Sequence, residues 1–184
     1  MKNSTQLNIK RVVYGALLIA LGMILPNLFH MFGGSSAGRV FLPMHLVVLL
    51  AGMILGPLWG AAVAVILPVL SSLTTGMPAV PMLYLMLFEL VAYAVISGFC
   101  ARKMDPYFTL PIAMVGGRLF YALVLYIAAK VFKMNVPAVE TVITAFTVGL
   151  PGIAVQLIFI PPIWYALRKG GFLLVYKGKG KKSY

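Results

Sequence analysis

The chain is poor in the residue types on which most catalytic and metal sites depend. Its 184 residues include one cysteine, two histidines and three acidic residues, and charged residues make up only 10%. The single cysteine, Cys100, excludes an intrachain disulfide, and a metal or redox motif would need more thiols. There is also no Gly-x-x-x-x-Gly-Lys-Ser/Thr phosphate loop, so any ATP hydrolysis linked to this chain must come from a partner.

Apolar sequence is what the chain has in abundance. Hydrophobic residues make up 62%, and several runs approach the roughly 20 residues that an α-helix needs to cross a bilayer. The first run, Val12–Phe32, is too long for the apolar part of a cleavable signal peptide and lacks a convincing cleavage site. The composition therefore predicts an all-α integral membrane protein, with a single domain over residues 1–184.

Helix-breaking residues divide the apolar sequence into six predicted spans. The stretch Val40–Thr75 is too long for one span, and the Gly56-Pro57 dipeptide near its centre favours a turn. The last stretch is expected to tilt or to break at Pro151-Gly152. The predicted spans cover residues 10–32, 40–55, 58–75, 80–100, 110–132 and 139–167, and a basic tail follows at 168–184.

The basic residues predict the orientation of these spans. Six spans place both termini on one side, and eleven Lys and Arg residues fall on that side against three on the other. The positive-inside rule then predicts cytoplasmic termini. Loops at 33–40, 74–79 and 133–138 face outward, either as a lid or as plain connectors. The net charge of +12 follows from this arrangement, so we expect the tail to contact anionic lipid headgroups rather than nucleic acid.

Two charged residues interrupt the apolar runs, where a charge costs on the order of 3 kcal/mol unless it faces a partner or water. Glu89 lies in the fourth span and Arg118 in the fifth. Counting from the predicted cytoplasmic ends places Glu89 at a depth of roughly 17 Å, Arg118 at roughly 12 Å and Gln156, in the sixth span, at roughly 17 Å. The three residues predict a substrate pocket among spans 4 to 6. The alternative is a buried ion pair, satisfied by Gln156, that only fixes helix packing.

Two tyrosines lie at helical spacing from these charges. Tyr93 is four residues after Glu89, and Tyr121 is three residues after Arg118. This spacing puts each ring on the same helix face as its charge. The tyrosines are predicted to line the pocket, where they would suit a flat ring with polar substituents. The alternative is that they only pack the bundle.

Residues near the first outward loop are further candidates. His45, at the start of the second span, is predicted to line the pocket from above. An interfacial histidine and a metal ligand are the alternatives, and a lone histidine is a poor metal site. Arg39, in the loop itself, is predicted to attract an anionic group of the substrate, with a lipid headgroup as the alternative partner. No metal site and no cofactor are predicted.

Small residues four apart, Ala16 and Ala20, lie on the first span. Such spacing lets another helix approach closely, either within the bundle or on a partner. This Ala-x-x-x-Ala pattern, the Gly-rich first loop and the hairpin Leu55-Gly56-Pro57-Leu58-Trp59-Gly60 resemble the substrate-binding S components of energy-coupling factor (ECF) transporters. The resemblance covers nearly the whole chain.

The resemblance implies a specific role. An S component captures a vitamin or related micronutrient from outside the cell, in the plasma membrane of a prokaryote. It then docks on a membrane T component, here through Ala16 and Ala20, and two ATPase subunits drive uptake. By the same resemblance, Glu89, Arg118 and Gln156 are pocket residues, and the chain is not an enzyme.

Two other classes of function fit less well. A self-sufficient secondary transporter, alone or as an oligomer, usually shows internal repeats and more than six spans, and no repeat is visible. An intramembrane enzyme would need clustered nucleophiles, a metal-binding set or paired carboxylates. Glu89 is the only acid predicted to be buried, so the sequence favours a transport component.

Overall fold

The computed structural model describes residues 2–80, 82–130, 133 and 141–174, and all regular structure in these ranges is helical. Side chains are described for residues 5–28, 40–80, 82–130, 133 and 142–174. The helices are α1 (Lys2–Phe41), α2 (Pro43–Leu55), α3 (Pro57–Thr75), α4 (Met82–Cys100), α5 (Pro106–Lys130), α6 (Thr141–Val148) and α7 (Leu150–Lys169).

Five of these helices are long and apolar enough to cross a membrane. They are Thr5–Leu28 within α1 and the whole of α3, α4, α5 and α7. Much of their apolar surface is exposed, as on Leu119 (66% exposed) and Leu73 (80% exposed). Exposed apolar side chains on helices of this length indicate contact with lipid. The predicted class, an all-helical multi-pass membrane protein, is confirmed.

α2 is the central element of the bundle. All of its residues except Leu46 are buried, and α1, α3, α4 and α7 pack around it. A helix that is buried on every side has to be apolar all round, as this sequence is. The 13 residues of α2 span only about 20 Å, less than the roughly 30 Å of a bilayer core.

Glycines allow α2, α3 and α4 to pack closely. A Cβ added at Gly60 in α3 would lie 2.7 Å from Cα of Gly52 in α2, and one at Gly98 in α4 would lie 2.6 Å from the backbone nitrogen of Pro57. The buried hydroxyl of Ser97 donates a hydrogen bond of 3.3 Å to the carbonyl oxygen of Leu49. Close packing of small residues and hydrogen bonds between helices are the main forces that hold helices together in a bilayer.

The first helix continues where the sequence predicted a loop. α1 runs without interruption to Phe41, so the predicted end at Phe32 and the predicted loop at 33–40 are wrong. A glycine inside a helix costs only about 1 kcal/mol, whereas a proline disfavours the α conformation of the residue before it. The helix therefore ends at Phe41, and Leu42, directly before Pro43, has a φ of 50° and a ψ of 49°.

The sixth predicted span consists of two helices. α6 ends at Val148 and α7 begins at Leu150, with Gly149 as the N-cap of α7. The break therefore lies two residues before the predicted Pro151-Gly152. Proline is tolerated in the first turn of a helix, because its missing N–H would have no partner there. Gly152 instead permits close packing against α1, since a Cβ there would lie 2.6 Å from the carbonyl oxygen of Val40.

The second predicted loop is tied to the end of α3. The hydroxyls of Ser71 and Ser72 donate to the carbonyl oxygens of Met77 and Pro78, at 2.8 Å and 2.9 Å. These bonds hold Met77 and Pro78 against the last turn of the helix. Of the third predicted loop only Lys133 is described, and the tail beyond Leu174 lies outside the described residues.

Several chain segments meet at one end of the bundle. The rings of Tyr14 and Phe172 lie 6.3 Å apart, and the N–H of Leu174 donates to the carbonyl oxygen of Ile54 at 3.0 Å. The first turns of the α1 span, the end of α2 and the segment after α7 are therefore close together. The basic residues at or next to this end are Lys10, Arg11, Arg102, Lys103, Arg168 and Lys169.

Candidate functional site

Glu89 and Arg118 form a buried ion pair between α4 and α5. Nη1 of Arg118 lies 2.8 Å from Oε1 of Glu89, and the two side chains are 11% and 5% exposed. Glu89 lies roughly 10 Å along α4 from its start and roughly 16 Å from its end. Both charges are thus held inside the bundle on helices that cross the membrane, where each is the compensating partner of the other.

Two aromatic side chains complete the surroundings of the Glu89 carboxylate. The hydroxyl of Tyr93 donates to Oε1 at 3.1 Å, and Nε2 of His45 lies 3.7 Å from Oε2. The rings of His45 and Tyr93 meet edge to face, with centroids 5.3 Å apart. We call Glu89, Arg118, Tyr93 and His45 the Glu89 cluster; it joins α2, α4 and α5.

A glycine next to Arg118 makes room for the tyrosine ring. A Cβ on Gly117 would lie 2.5 Å from Cδ1 and Cε1 of Tyr93, so this ring packs directly against the backbone of α5. Tyr93 is one helical turn beyond Glu89 on the same face of α4, and its hydroxyl therefore reaches the carboxylate. Gly117 was not among the predicted site residues. The Gly116-Gly117 pair in front of a buried arginine is the signal that marks it.

Gln156 supports the cluster through the start of α2. Its side chain is 1% exposed, and Nε2 donates to the carbonyl oxygen of Leu42 at 3.3 Å. The same carbonyl accepts the backbone N–H of His45 at 3.1 Å. In the described part of the chain, Gln156 makes no hydrogen bond to Glu89 or Arg118. Leu42 is a residue that sequence reasoning missed, although Pro43 directly after it marks the break.

The break between α6 and α7 lies beside Arg118. A Cβ at Gly149 would lie 3.7 Å from Nη2 of Arg118 and 3.0 Å from Cδ1 of Leu42. Gly149 is the N-cap of α7, but its N–H donates to the carbonyl oxygen of Ala145 in α6 and its carbonyl oxygen accepts the N–H of Ile153 in α7. The guanidinium group therefore lies beside the junction of α6 and α7. Because the sequence predicted the break two residues later, Gly149 was missed.

Two predicted site residues lie elsewhere or cannot be placed. The hydroxyl of Tyr121 donates to the sulfur of Met82 at 3.9 Å, and its ring packs with Leu85 and Leu125. Tyr121 thus belongs to a small apolar cluster that lies next to the Glu89 cluster, within electrostatic range of Glu89 and Arg118. The backbone of Arg39 lies in α1, but its side chain is outside the described side chains, and its contact with a substrate stays a prediction.

The Glu89 cluster contains more hydrogen-bonding atoms than the described residues satisfy. Nε of Arg118 and both ring nitrogens of His45 are buried without a hydrogen-bond partner in the described ranges. Each such atom costs about 1–3 kcal/mol when it is left unpaired. A bound polar molecule would remove this cost. No group of three or more His, Cys, Asp or Glu side chains that could hold a metal ion occurs among the described residues.

The small residues of α1 divide between two faces of the helix. Gly15 and Gly22 are buried, and a Cβ on Gly22 would lie 2.5 Å from Cδ2 of Leu67. Ala16 and Ala20 are exposed, and Leu17 between them is 63% exposed. The Ala-x-x-x-Ala face therefore remains open to another helix, while the glycines pack inside the bundle.

Comparison with known proteins agrees with these features. A family model described as ECF transporter, substrate-specific component, matches residues 10–167. The matched range includes the Glu89 cluster, Gln156, and both alanines of α1. No curated protein and no solved structure gave a significant match. The family resemblance predicted from the sequence is confirmed.

Proposed function

Because the chain belongs to the family of ECF-transporter substrate-specific components, we propose that it captures a vitamin or related organic micronutrient with high affinity and delivers it to an ATP-driven importer. Its expected partners are a membrane T component and two ATPase subunits. The family is one of transport components rather than enzymes, and ATP hydrolysis is assigned to the partners. Membrane lipid surrounds the protein, and nucleic acid has no part in the proposal.

The Glu89 cluster is the observation that carries this proposal. A charged pair inside a membrane bundle is costly, and such residues usually mark a ligand or ion pathway. Here the pair is accompanied by buried nitrogen atoms of Arg118 and His45 that have no hydrogen-bond partner among the described residues. We assign substrate binding to the Glu89 cluster, with Gln156 holding the start of α2. Tyr121 and Arg39 stay in the proposal as outer contacts.

The proposed topology has six spans within a single domain over residues 1–184 and a basic tail at 168–184. α2 counts as a short span, and α6 together with α7 makes the last. Both termini lie in the cytoplasm of a prokaryotic cell, since the basic residues that flank α1, α4 and α7 lie at one end of the bundle. The Glu89 cluster then lies in the outer half of the membrane, nearer to the start of α4 than to its end.

Docking on the T component is assigned to the exposed Ala16 and Ala20 face of α1. The test replaces both alanines by tryptophan, and measures ATP-dependent uptake of radiolabelled vitamins by proteoliposomes that contain the chain, a T component and the two ATPases. Tryptophan prevents close packing of the two helices, and a loss of ~1.4 kcal/mol of binding free energy lowers the association constant about tenfold. We therefore expect at least that loss of uptake, with substrate binding to the isolated chain unchanged.

The control for this experiment is Ala154→Trp, which places the same bulk on an exposed position of α7. This variant is expected to support uptake. Undiminished uptake by the doubly substituted protein would contradict the docking assignment. Uptake by the chain alone, driven by an ion gradient without the ATPases, would show that it is a secondary transporter.

A further inference from the structure

The chemistry of the substrate can be read from the atoms that the Glu89 cluster leaves unpaired. Oε1 of Glu89 is already engaged, because Arg118 and Tyr93 are its partners, whereas Oε2 lies 3.7 Å from Nε2 of His45, too far for a hydrogen bond. Arg118 is engaged on one side only: Nη1 lies 2.8 Å from the carboxylate, and Nε has no hydrogen-bond partner in the described ranges. A ligand that pairs with Nε of Arg118 therefore has to bring an acceptor.

The edge of Arg118 that contains Nε has the donor geometry of an oxyanion site. Nε and Nη2 of a guanidinium group donate two parallel hydrogen bonds, a fork that matches the two oxygens of a carboxylate. Nη2 lies beside Gly149, at the junction of α6 and α7. His45 is a second buried partner in the same cluster, and neither of its ring nitrogens has a hydrogen-bond partner among the described residues.

The charges limit how negative that group can be. Glu89 and Arg118 cancel, so a ligand with one negative charge leaves a net charge of −1. His45 is the one other member of the cluster whose side chain can carry a positive charge. No further cation is present among the described side chains of the cluster to balance a second negative charge. The site thus fits a monoanion better than a phosphate dianion.

Building on the proposed function, we infer that the substrate is a water-soluble organic acid whose carboxylate binds the Nε–Nη2 edge of Arg118. Glu89 holds Arg118 in place from the opposite side and does not contact this carboxylate. Glu89 and Tyr93 are positioning residues in this arrangement, and Arg118 is the residue that selects for the acid. Neutral and cationic vitamins are rejected because they leave the arginine edge unpaired.

The test is calorimetric titration of the purified full chain in detergent with matched pairs of compounds. Each pair consists of an acid and its uncharged counterpart: biotin and biotinamide, pantothenate and panthenol, nicotinate and nicotinamide, lipoate and lipoamide. Riboflavin, thiamine and pyridoxal phosphate complete the set. We expect one acid to bind at least about 100-fold more tightly than its counterpart, because a buried donor left without an acceptor penalises the neutral compound.

Variants separate recognition from folding. Arg118→Gln is expected to weaken binding of the acid by about 100-fold and binding of its neutral counterpart by less than about threefold. A purely structural role of Arg118 would not produce this difference. Arg118→Lys keeps the positive charge but loses the two parallel N–H donors, and its affinity for the acid should lie between those of the wild type and Arg118→Gln. Arg102→Gln removes an exposed arginine beyond the end of α4 and should leave all affinities unchanged.

Three results would overturn the inference. They are preferential binding of a neutral, cationic or phosphorylated compound, equal weakening of both members of a pair by Arg118→Gln, and no binding of any acid. Tight binding of riboflavin or thiamine would contradict the inference but not the proposed function, since both are vitamins and neither carries a carboxylate. Failure of ATP-dependent uptake in the reconstituted importer, by contrast, would count against the proposed function itself.

Discussion

Glu89 is the residue on which the contacts of the candidate site converge. Its carboxylate receives Arg118 and Tyr93 on one oxygen and faces His45 on the other. In the membrane interior a charge without a partner is far more costly than a satisfied pair. Glu89 and Arg118 therefore stabilise the fold only as a pair, whatever they bind.

The substitution Glu89→Gln tests this dependence. It leaves Arg118 as an uncompensated buried cation, and we expect the free energy of unfolding to fall by about 3–5 kcal/mol. The measurement is thermal or denaturant unfolding in detergent micelles. The double variant Glu89→Gln/Arg118→Met removes both charges and should recover most of the loss. A single variant as stable as the wild type would contradict the buried pair.

The residues of the pair could be predicted from sequence because a charge inside an apolar run is informative at any depth. The position of Tyr93 could also be predicted, since the 3.6-residue period of one helix places it on the same face as Glu89. The partners of Gln156 and Tyr121 could not be predicted in this way. They depend on how α7 and α5 are rotated against their neighbours, and on Leu42 and Met82, which carry no chemical signal.

Among the helices, close contact through glycine decides which elements can surround α2. Gly60 of α3 and Gly52 of α2 meet with no room for a side chain. Gly15 of α1 is also buried, but a Cβ there would meet Val63 and Leu55 at ordinary distances of 3.6 Å and 3.8 Å. A side chain at Gly60 would therefore collide with α2, whereas a methyl group at Gly15 can be accommodated.

A matched pair of substitutions exploits this difference. Gly60→Ala should lower the free energy of unfolding by about 1–3 kcal/mol, because the added methyl group meets backbone that cannot move aside. Gly15→Ala should be neutral or stabilising, since alanine is the better helix former. The two variants are compared by thermal unfolding in detergent. Equal stability of both would show that α2 and α3 are not packed as closely as described.

Helix ends were the least predictable elements. The sequence predicted that the Gly/Ser-rich residues 33–38 would end the first helix, but the helix ends at Phe41, two residues before Pro43. Glycine and serine lower the stability of a helix by small, additive amounts. Proline instead disfavours the α conformation of the residue directly before it. At the other break, the proline stands in the first turn of α7, so it marks a beginning rather than an interruption.

In the molecule as a whole, basic residues are distributed unevenly between the two ends of the bundle. The described basic residues around the ends of α1, α4 and α7 lie at one end, and the connector at 76–80 lies at the other, across the length of α4. Short loops rich in Lys and Arg remain in the cytoplasm. The Glu89 cluster is consequently assigned to the outer half, where a substrate from outside can reach it.

Cysteine labelling tests this orientation, since the chain has only Cys100 to remove. In a Cys100→Ser background, Thr75→Cys and Lys103→Cys place one thiol at each end of the bundle, both at exposed positions. A membrane-impermeant maleimide should label Thr75→Cys on intact cells, and Lys103→Cys only after permeabilisation, because Lys103 is assigned to the cytoplasm. The reverse pattern would contradict cytoplasmic termini.

The central claim is that the Glu89 cluster is the substrate site of an importer subunit, and native mass spectrometry of the purified chain tests it most directly. The wild-type protein is expected to carry one small organic molecule per chain, and Arg118→Gln, shown to be folded by its unfolding transition, is expected to have lost it. The exposed arginine variant Arg102→Gln should retain the molecule. Equal occupancy in the wild type and Arg118→Gln, or no bound molecule in the wild type even after incubation with the vitamins, would contradict the account.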